Sequence, residues 1–246
     1  GKIIVMEKIV PIIPIRDGII FPNTDSVLTF GRPKSLAALE SAFQQERIVC
    51  FVLQKNSRLN DPGPEDLNVV GTLSRIERMI RTDGEINAQV RGLSRVKIIS
   101  FERHESYFMA KVVEIPEEEN NSEEVKALCN HLTNEFRKAM NFGKSTDFLL
   151  FMNIMSENSP SQLSDLIASA LDIKPQERQV LLEMTDVKER LQRLAELLAK
   201  EIKILELERK IASKTQESFE DDFLHDDQSY VIQNMKRDRE RFGLEK

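Results

Sequence analysis

Residues 69–99 read VVGTLSRIERMI (Val69–Ile80), RTDGE (81–85) and INAQVRGLSRVKII (Ile86–Ile99). Ile86, Ala88 and Val90 alternate with polar neighbours, the period of two expected of a strand with one buried face. Asp83-Gly84 between two such runs is a strong hairpin signal. The apolar phase slips between Leu73 and Ile76, as a bulge or a barrel corner requires. The stretch therefore predicts a long antiparallel hairpin with a built-in irregularity. Strand-like patterning extends outward from it over residues 9–115, with one interruption. There, Ser35–Gln45 carries Leu36, Leu39 and Phe43 at helical spacing. A β-rich half with one inserted helix suggests a small, closed or nearly closed sheet.

Past the polar, acidic stretch Glu117–Ser122 the period changes to 3.6. Val125, Leu128, Leu132, Phe136 and Met140 fall on one helical face. Further helices are expected over Asp147–Met155, Pro160–Leu171, Pro175–Met184 and from Val187 to about Ala212. Ser159-Pro160-Ser161-Gln162 combines an N-cap, a proline at the first helical position and a capping-box glutamine. Asp186 with Glu189 predicts a second box. The last helix shows a narrow seam of Leu191, Leu194, Leu198 and Leu205, which suits a helix that projects or pairs along one edge. The acidic segment Phe219–Asp227 reads as a break, and Tyr230–Arg241 as a resumed charged helix ending at Gly243. Three regions follow: residues 1–116, 117–212 and 213–246.

The 246 residues carry 35 Lys and Arg against 41 Asp and Glu, a net charge of −6. No basic excess marks a nucleic-acid binder. Cys50 and Cys129 form no C-x-x-C pair, so zinc is disfavoured and both read as buried thiols in a reducing compartment. The apolar residues near the start, Ile3–Val5 and Ile9–Ile15, are broken by Pro11 and Pro14, too short for a signal peptide or a membrane span. A cytoplasmic setting is the default, with a mitochondrial matrix after transit-peptide removal as the alternative.

Gly143-Lys144-Ser145 looks like half of a phosphate-binding loop. The full motif needs a glycine where Lys138 stands, and a preceding strand where 135–142 reads as helix. A helix C-cap glycine is the better reading. His104, His131 and His225 are scattered, and no G-x-S-x-G elbow occurs, so neither a metal site nor a catalytic triad is expected.

Several segments, in order, resemble the amino-terminal family of Lon-type ATP-dependent proteases. They are Val10-Pro11-Ile12-Ile13-Pro14-Ile15-Arg16-Asp17 with Phe21-Pro22, and Gly31-Arg32-Pro33-Lys34-Ser35. Val70-Gly71-Thr72-Leu73 and Val90-Arg91-Gly92-Leu93-Ser94-Arg95 follow. Leu163-Ser164-Asp165-Leu166-Ile167-Ala168, 177–183 and Glu206-Leu207-Glu208 complete the set, with 230–243 as a diverged lead-in to an ATPase module. Pro33 departs from the acidic residue common in the entry loop, and the acidic run 220–227 is atypical.

The resemblance implies an α+β fold: an N-terminal PUA-like β pseudo-barrel with one inserted helix, then an all-α helical bundle ending in a long projecting helix. It implies a non-catalytic, substrate-recognising and hexamer-organising region. ATP, magnesium and the Ser-Lys peptidase dyad are expected only beyond Lys246, so no cofactor is expected in this chain. Unfolded or degron-bearing polypeptides and other subunits are the expected partners, with no membrane and no nucleic acid. A free-standing adaptor without an ATPase is the alternative.

Flexible apolar surface is what a sorter of damaged chains needs. The candidates for holding substrate are Ile19, Ile20, Phe21 and Pro22 in the first loop, Arg32 and Lys34 in the helix-entry loop, and Met79 and Phe108 on the sheet. The competing reading of the Ile-Ile-Phe run is core, and that of Arg32 and Lys34 a solvated loop. Phe148–Met155, FLLFMNIM, reads as the buried centre of the bundle, with a sticky surface as the alternative. Leu191, Leu194, Leu198 and Leu205 are candidates for contact with neighbouring subunits, against an ordinary seam within the chain.

Overall fold

The structure, a computed structural model, describes residues 6–102 and 105–225. The element order is β1 (Glu7–Ile15), β2 (Asp25–Phe30), α1 (Pro33–Phe43), β3 (Ile48–Leu53), β4 (Val70–Thr82), β5 (Glu85–Glu102) and β6 (Phe108–Glu114). Helices α2 (Glu123–Asn141), α3 (Phe148–Met155), α4 (Pro160–Ala170), α5 (Pro175–Glu183) and α6 (Val187–His225) follow. The architecture is α+β. The strands make one mixed sheet in the order β2-β5-β4-β3-β1-β6, and a further β5–β6 pairing closes it into a barrel. Only β1 and β3 run parallel; the other pairs are antiparallel.

β4 and β5 form the long hairpin, with Thr82 opposite Glu85 and Gly84 at φ 74° in the turn. Its register slips at Leu73/Ser74 and again at Ile76/Arg78. The bends let the 18-residue β5 pair with β2 over Ile86–Arg91, with β4 over Glu85–Lys97 and with β6 over Val96–Glu102. β3 is apolar throughout because both of its faces are covered. Val49 and Phe51 join the core beneath α1, while Cys50 and Val52 join a second core with Val10, Leu73 and Val112. Burial pushes the Cys50 thiol up to about 12, so it stays protonated and inert.

The helical lobe begins where Ser122 caps α2 by accepting from the Val125 amide. Gly143, at φ 96°, ends α2 with the paired bonds Gly143 N–Met140 O and Lys144 N–Ala139 O, a Schellman cap. The Gly143-Lys144 pair is thus helix punctuation. Ser159 and Gln162 form the full capping box of α4. At α6 the Asp186 carboxylate accepts from the Glu189 amide.

Two expectations are corrected. α6 runs unbroken through Phe219 to His225 instead of stopping near 212, because no glycine or proline lies between 187 and 225 and good helix formers fill the interval. FLLFMNIM is not the centre of the bundle. In α3 only Ile154 is fully buried; Leu150, Phe151 and Met155 pack partly against the core, while Phe148, Leu149 and Met152 stay open. His104 and the segment 230–243 lie outside the described residues.

Candidate functional site

The first loop leads from β1 to β2 across the β5 strand. Asn23 N donates to Gly92 O and Gly92 N to Thr24 O, both at 2.9 Å. The Thr72 hydroxyl donates to Ile20 O at 2.5 Å and that of Thr24 to Phe21 O at 2.6 Å. A Cβ at residue 92 would sit 2.1 Å from Phe21 O, so only glycine permits this crossing. Phe21 is fully buried and enters the core of the helical lobe beside Val125, Leu132 and Leu191; Ile20 is buried under α1. Pro22 is buried and Ile19 half-buried. As a substrate surface the first loop is corrected: these side chains join the two lobes.

A buried charge network lies beside that junction. Arg95, 2 % exposed, donates from both terminal nitrogens to Asp165 at 3.1 and 2.7 Å, and from Nε to Leu182 O at 2.7 Å. Arg190, 0 % exposed, donates to Glu117 at 2.8 Å, to Ser164 Oγ at 2.9 Å and to Met184 O at 2.6 Å. Glu117 also reaches Arg95 at 2.8 Å and accepts from Ser161. Burial opposes ionisation of Glu117, yet Arg95 and Arg190 together hold its carboxyl below the ordinary value. Burial dominates at Asp165 and raises its carboxyl, against the pull of the same two arginines. The network ties β5 to α4, α5 and α6.

Arg32, Lys34 and Phe108 are brought together. They line a cleft of 300 Å³ with Ile12, Pro14 and the 60–62 loop. Arg32 donates to Gln54 Oε1 at 2.6 Å and to Pro14 O at 2.8 Å, which fixes the helix entry. Lys34 pairs with Asp61 at 2.8 Å and stands 4.8 Å over the Phe108 ring. Met79 is elsewhere, half-buried against the core beneath α1.

α3 displays a compact apolar face. Phe148, Leu149 and Met152 are 73 %, 65 % and 51 % exposed on neighbouring turns. Their helix is held from behind by Ile154 in the core and by Phe151 stacked on Phe136 of α2 at 6.4 Å. On α6, Leu191, Leu194 and Leu198 are fully buried in the chain's own core and Leu205 packs against it. They are therefore a seam within one chain, which corrects the subunit-contact reading. The exposed large apolar residues of α6 are Ile204, Leu207, Ile211 and Phe219 among the described residues. Among the described residues no group of three His, Cys, Asp or Glu side chains could hold a metal ion.

A family profile described as the ATP-dependent protease La (LON) substrate-binding domain matches residues 9–200. The chain belongs to this family. The Lon protease of Bacillus thuringiensis is 32% identical over 243 residues, covering 97% of this chain and 31% of that protein. The Lon protease of Heliobacterium modesticaldum is 35% identical over 211 residues, covering 85% and 26%. The chain thus spans less than a third of these Lon relatives. The N-terminal domain of a Mycobacterium avium complex Lon protease superposes with a TM-score of 0.64 at 23% identity, over 78% of this chain and 98% of that one. A Lon N-terminal domain protein from Xanthomonas campestris gives 0.54 at 17%, over 76% and 96%. Both likenesses bear on fold alone.

Proposed function

We propose that this Lon region captures unfolded or degron-bearing polypeptides and takes no chemical part in cutting them. The observation that carries the reading is the exposed face of α3. Three large apolar side chains standing together on a rigid helix form the kind of patch that soluble proteins keep for binding. Met and Phe there adapt to many sequences because contact is by area and not by hydrogen-bond pattern. ATP hydrolysis and peptide cleavage belong, in this reading, to the rest of a longer polypeptide. Two unpaired thiols suit a reducing, cytoplasmic setting. Among the described residues no helix is long and apolar enough to cross a membrane.

The test is binding of a fluorescent, permanently unfolded protein and of its folded counterpart to this chain. Selective binding of the unfolded form supports capture; equal or absent binding of both overturns it. A second role has its own observation. α6 extends well past the bundle and carries Ile204, Leu207 and Ile211 open along one stripe. That stripe supports contact between subunits in a hexameric assembly, and serine at all three positions then weakens self-association of the longer polypeptide.

A further inference from the structure

The sheet leaves two edges open near the β4–β5 hairpin, and they are treated differently. β3 pairs with β4 only over Thr72–Arg75, so the remainder of β4 is one edge. β2 is the other, paired with β5 alone among the described residues. A row of unpaired backbone groups is a template for another strand, and proteins block such rows with bulges, charges and prolines. The β4 edge is blocked. Its register slips at Ile76/Arg78, Arg78 and Arg81 stand on it, and Arg81 is tied to Glu40 of α1 at 2.9 Å.

β2 carries none of these devices. Its six residues, DSVLTF, run in unbroken register against Ile86–Arg91 and include no proline, lysine or arginine. Its one charge, Asp25, sits at the start of the strand and is paired with Arg91 at 3.0 Å.

The hydrogen-bond phase shows which groups are left over. Gly92 N donates to Thr24 O. In an antiparallel ladder the bonded pairs recur at every second residue. Ser26, Leu28 and Phe30 therefore bond to β5, and the N–H and C=O groups of Asp25, Val27 and Thr29 point away from it. No strand among the described residues meets them. Val27, midway along this row, is apolar and 73 % exposed.

The spacing of these groups identifies the occupant. Donor and acceptor together recur roughly every 7 Å, two residues of extended chain, and the matching object is another extended backbone. A helix uses its own N–H and C=O groups internally and cannot offer them. An unfolded polypeptide offers them along its whole length. A second copy of this chain would contribute only the same six-residue strand, far short of the interface of about 1,200 Å² that a stable pair buries. Side chains then select within unfolded chains. An acidic residue opposite Asp25 is disfavoured, and a β-branched or aromatic one opposite Val27 is favoured.

We propose that β2 is a strand-addition site, at which an extended segment of an unfolded polypeptide pairs with the backbone of Asp25, Val27 and Thr29 and covers Val27. This role rests on the capture reading and deepens it: α3 holds a substrate by apolar area, and β2 reads its backbone.

The experiment follows amide hydrogen exchange of this chain by NMR as a permanently unfolded protein is added. An eight-residue peptide of alternating threonine and valine with a lysine at each end is run alongside, with its counterpart N-methylated on the four central residues. At ten times the Kd of the peptide, exchange at Asp25, Val27 and Thr29 should slow about tenfold, while Ser26 and Leu28, already bonded to β5, stay as they were. The methylated peptide should bind at least about tenfold more weakly, the scale of two backbone hydrogen bonds. Val27→Pro removes an N–H that β5 does not use, so the sheet tolerates it, and it should weaken the parent peptide to the same degree. Binding of the unfolded protein without slowing at the three amides overturns strand addition and leaves the capture reading intact. Equal binding of the two peptides, or unchanged binding by Val27→Pro, also overturns strand addition. Slowing that appears when the chain alone is concentrated overturns it in favour of a second copy. Failure of the unfolded protein to bind overturns both readings.

Discussion

Ile19–Pro22 and Phe148–Met155 are two apolar runs that look alike on paper and meet opposite fates. The first is swallowed: Phe21 is fully buried between the lobes and Ile20 nearly so. The second stands open, with Phe148, Leu149 and Met152 all more than half exposed. The difference lies in what surrounds each run. The first loop is held to β4 and β5 by three hydrogen bonds, tied within itself by a fourth from Thr24 to Phe21 O, and covered by the helical lobe. α3 meets α2 and α4 along one edge, and among the described residues its Phe148, Leu149 and Met152 are left uncovered. Hydrophobicity alone therefore does not locate a binding surface; the number of elements available to cover it does.

Breaking the buried side of the comparison should have the largest effect. Phe21→Ala removes a ring from the interlobe core and should cost about 3–5 kcal/mol. Urea unfolding monitors this, and the lobes should separate before either melts. Asp165→Ala strands Arg95 without its bidentate partner, with a loss of about 3–5 kcal/mol as for other broken buried pairs. Gly92→Ala is a smaller test. Its methyl group meets Phe21 O at 2.1 Å and must push the first loop outward, at about 1–3 kcal/mol.

The charge network sharpens the comparison through pH. Glu117 titrates below its ordinary 4.5 in the folded chain, so the unfolded chain takes up the proton first as pH falls. Its stabilisation is complete above that ordinary value and is lost as pH drops through the lowered one. Asp165, raised by burial, contributes with the opposite sign. Replacing Glu117 with Gln should therefore flatten the acid side of a stability–pH curve measured by thermal melts, an effect partly offset because removing the Glu117 charge also relieves part of the upward push on Asp165. The smallest stability effect belongs to the open run. Serine at 148, 149 and 152 should alter stability by no more than about 0.5 kcal/mol per site, while removing the capture surface.

How much of this was legible in the chain depends on range. The hairpin turn at Asp83-Gly84, the slip after Leu73, the capping box at Ser159 and the cap at Gly143 are local devices, and each stands where spacing placed it. Arg32, Lys34 and Phe108 were legible as residues, but not as one cleft, because a loop from a fourth segment closes it. The Arg95–Asp165 pair joins positions 70 apart, and no periodicity reports such a distance. For the same reason the leucine seam of α6 could be read as apolar without showing that its partners are α2 and α4 of the same chain. The exposure of α3 left no sequence signal beyond an apolar content too high for so short a helix.

The most direct test of the account follows the methionine methyl resonances of this chain as a permanently unfolded protein is added. Met152 sits in the exposed α3 face, whereas Met79 is half-buried on the barrel, 73 positions away. The account predicts that the Met152 methyl shifts and broadens on titration while Met79 stays in place. A shift at Met79 with Met152 unmoved would contradict it, and would return the binding surface to the barrel.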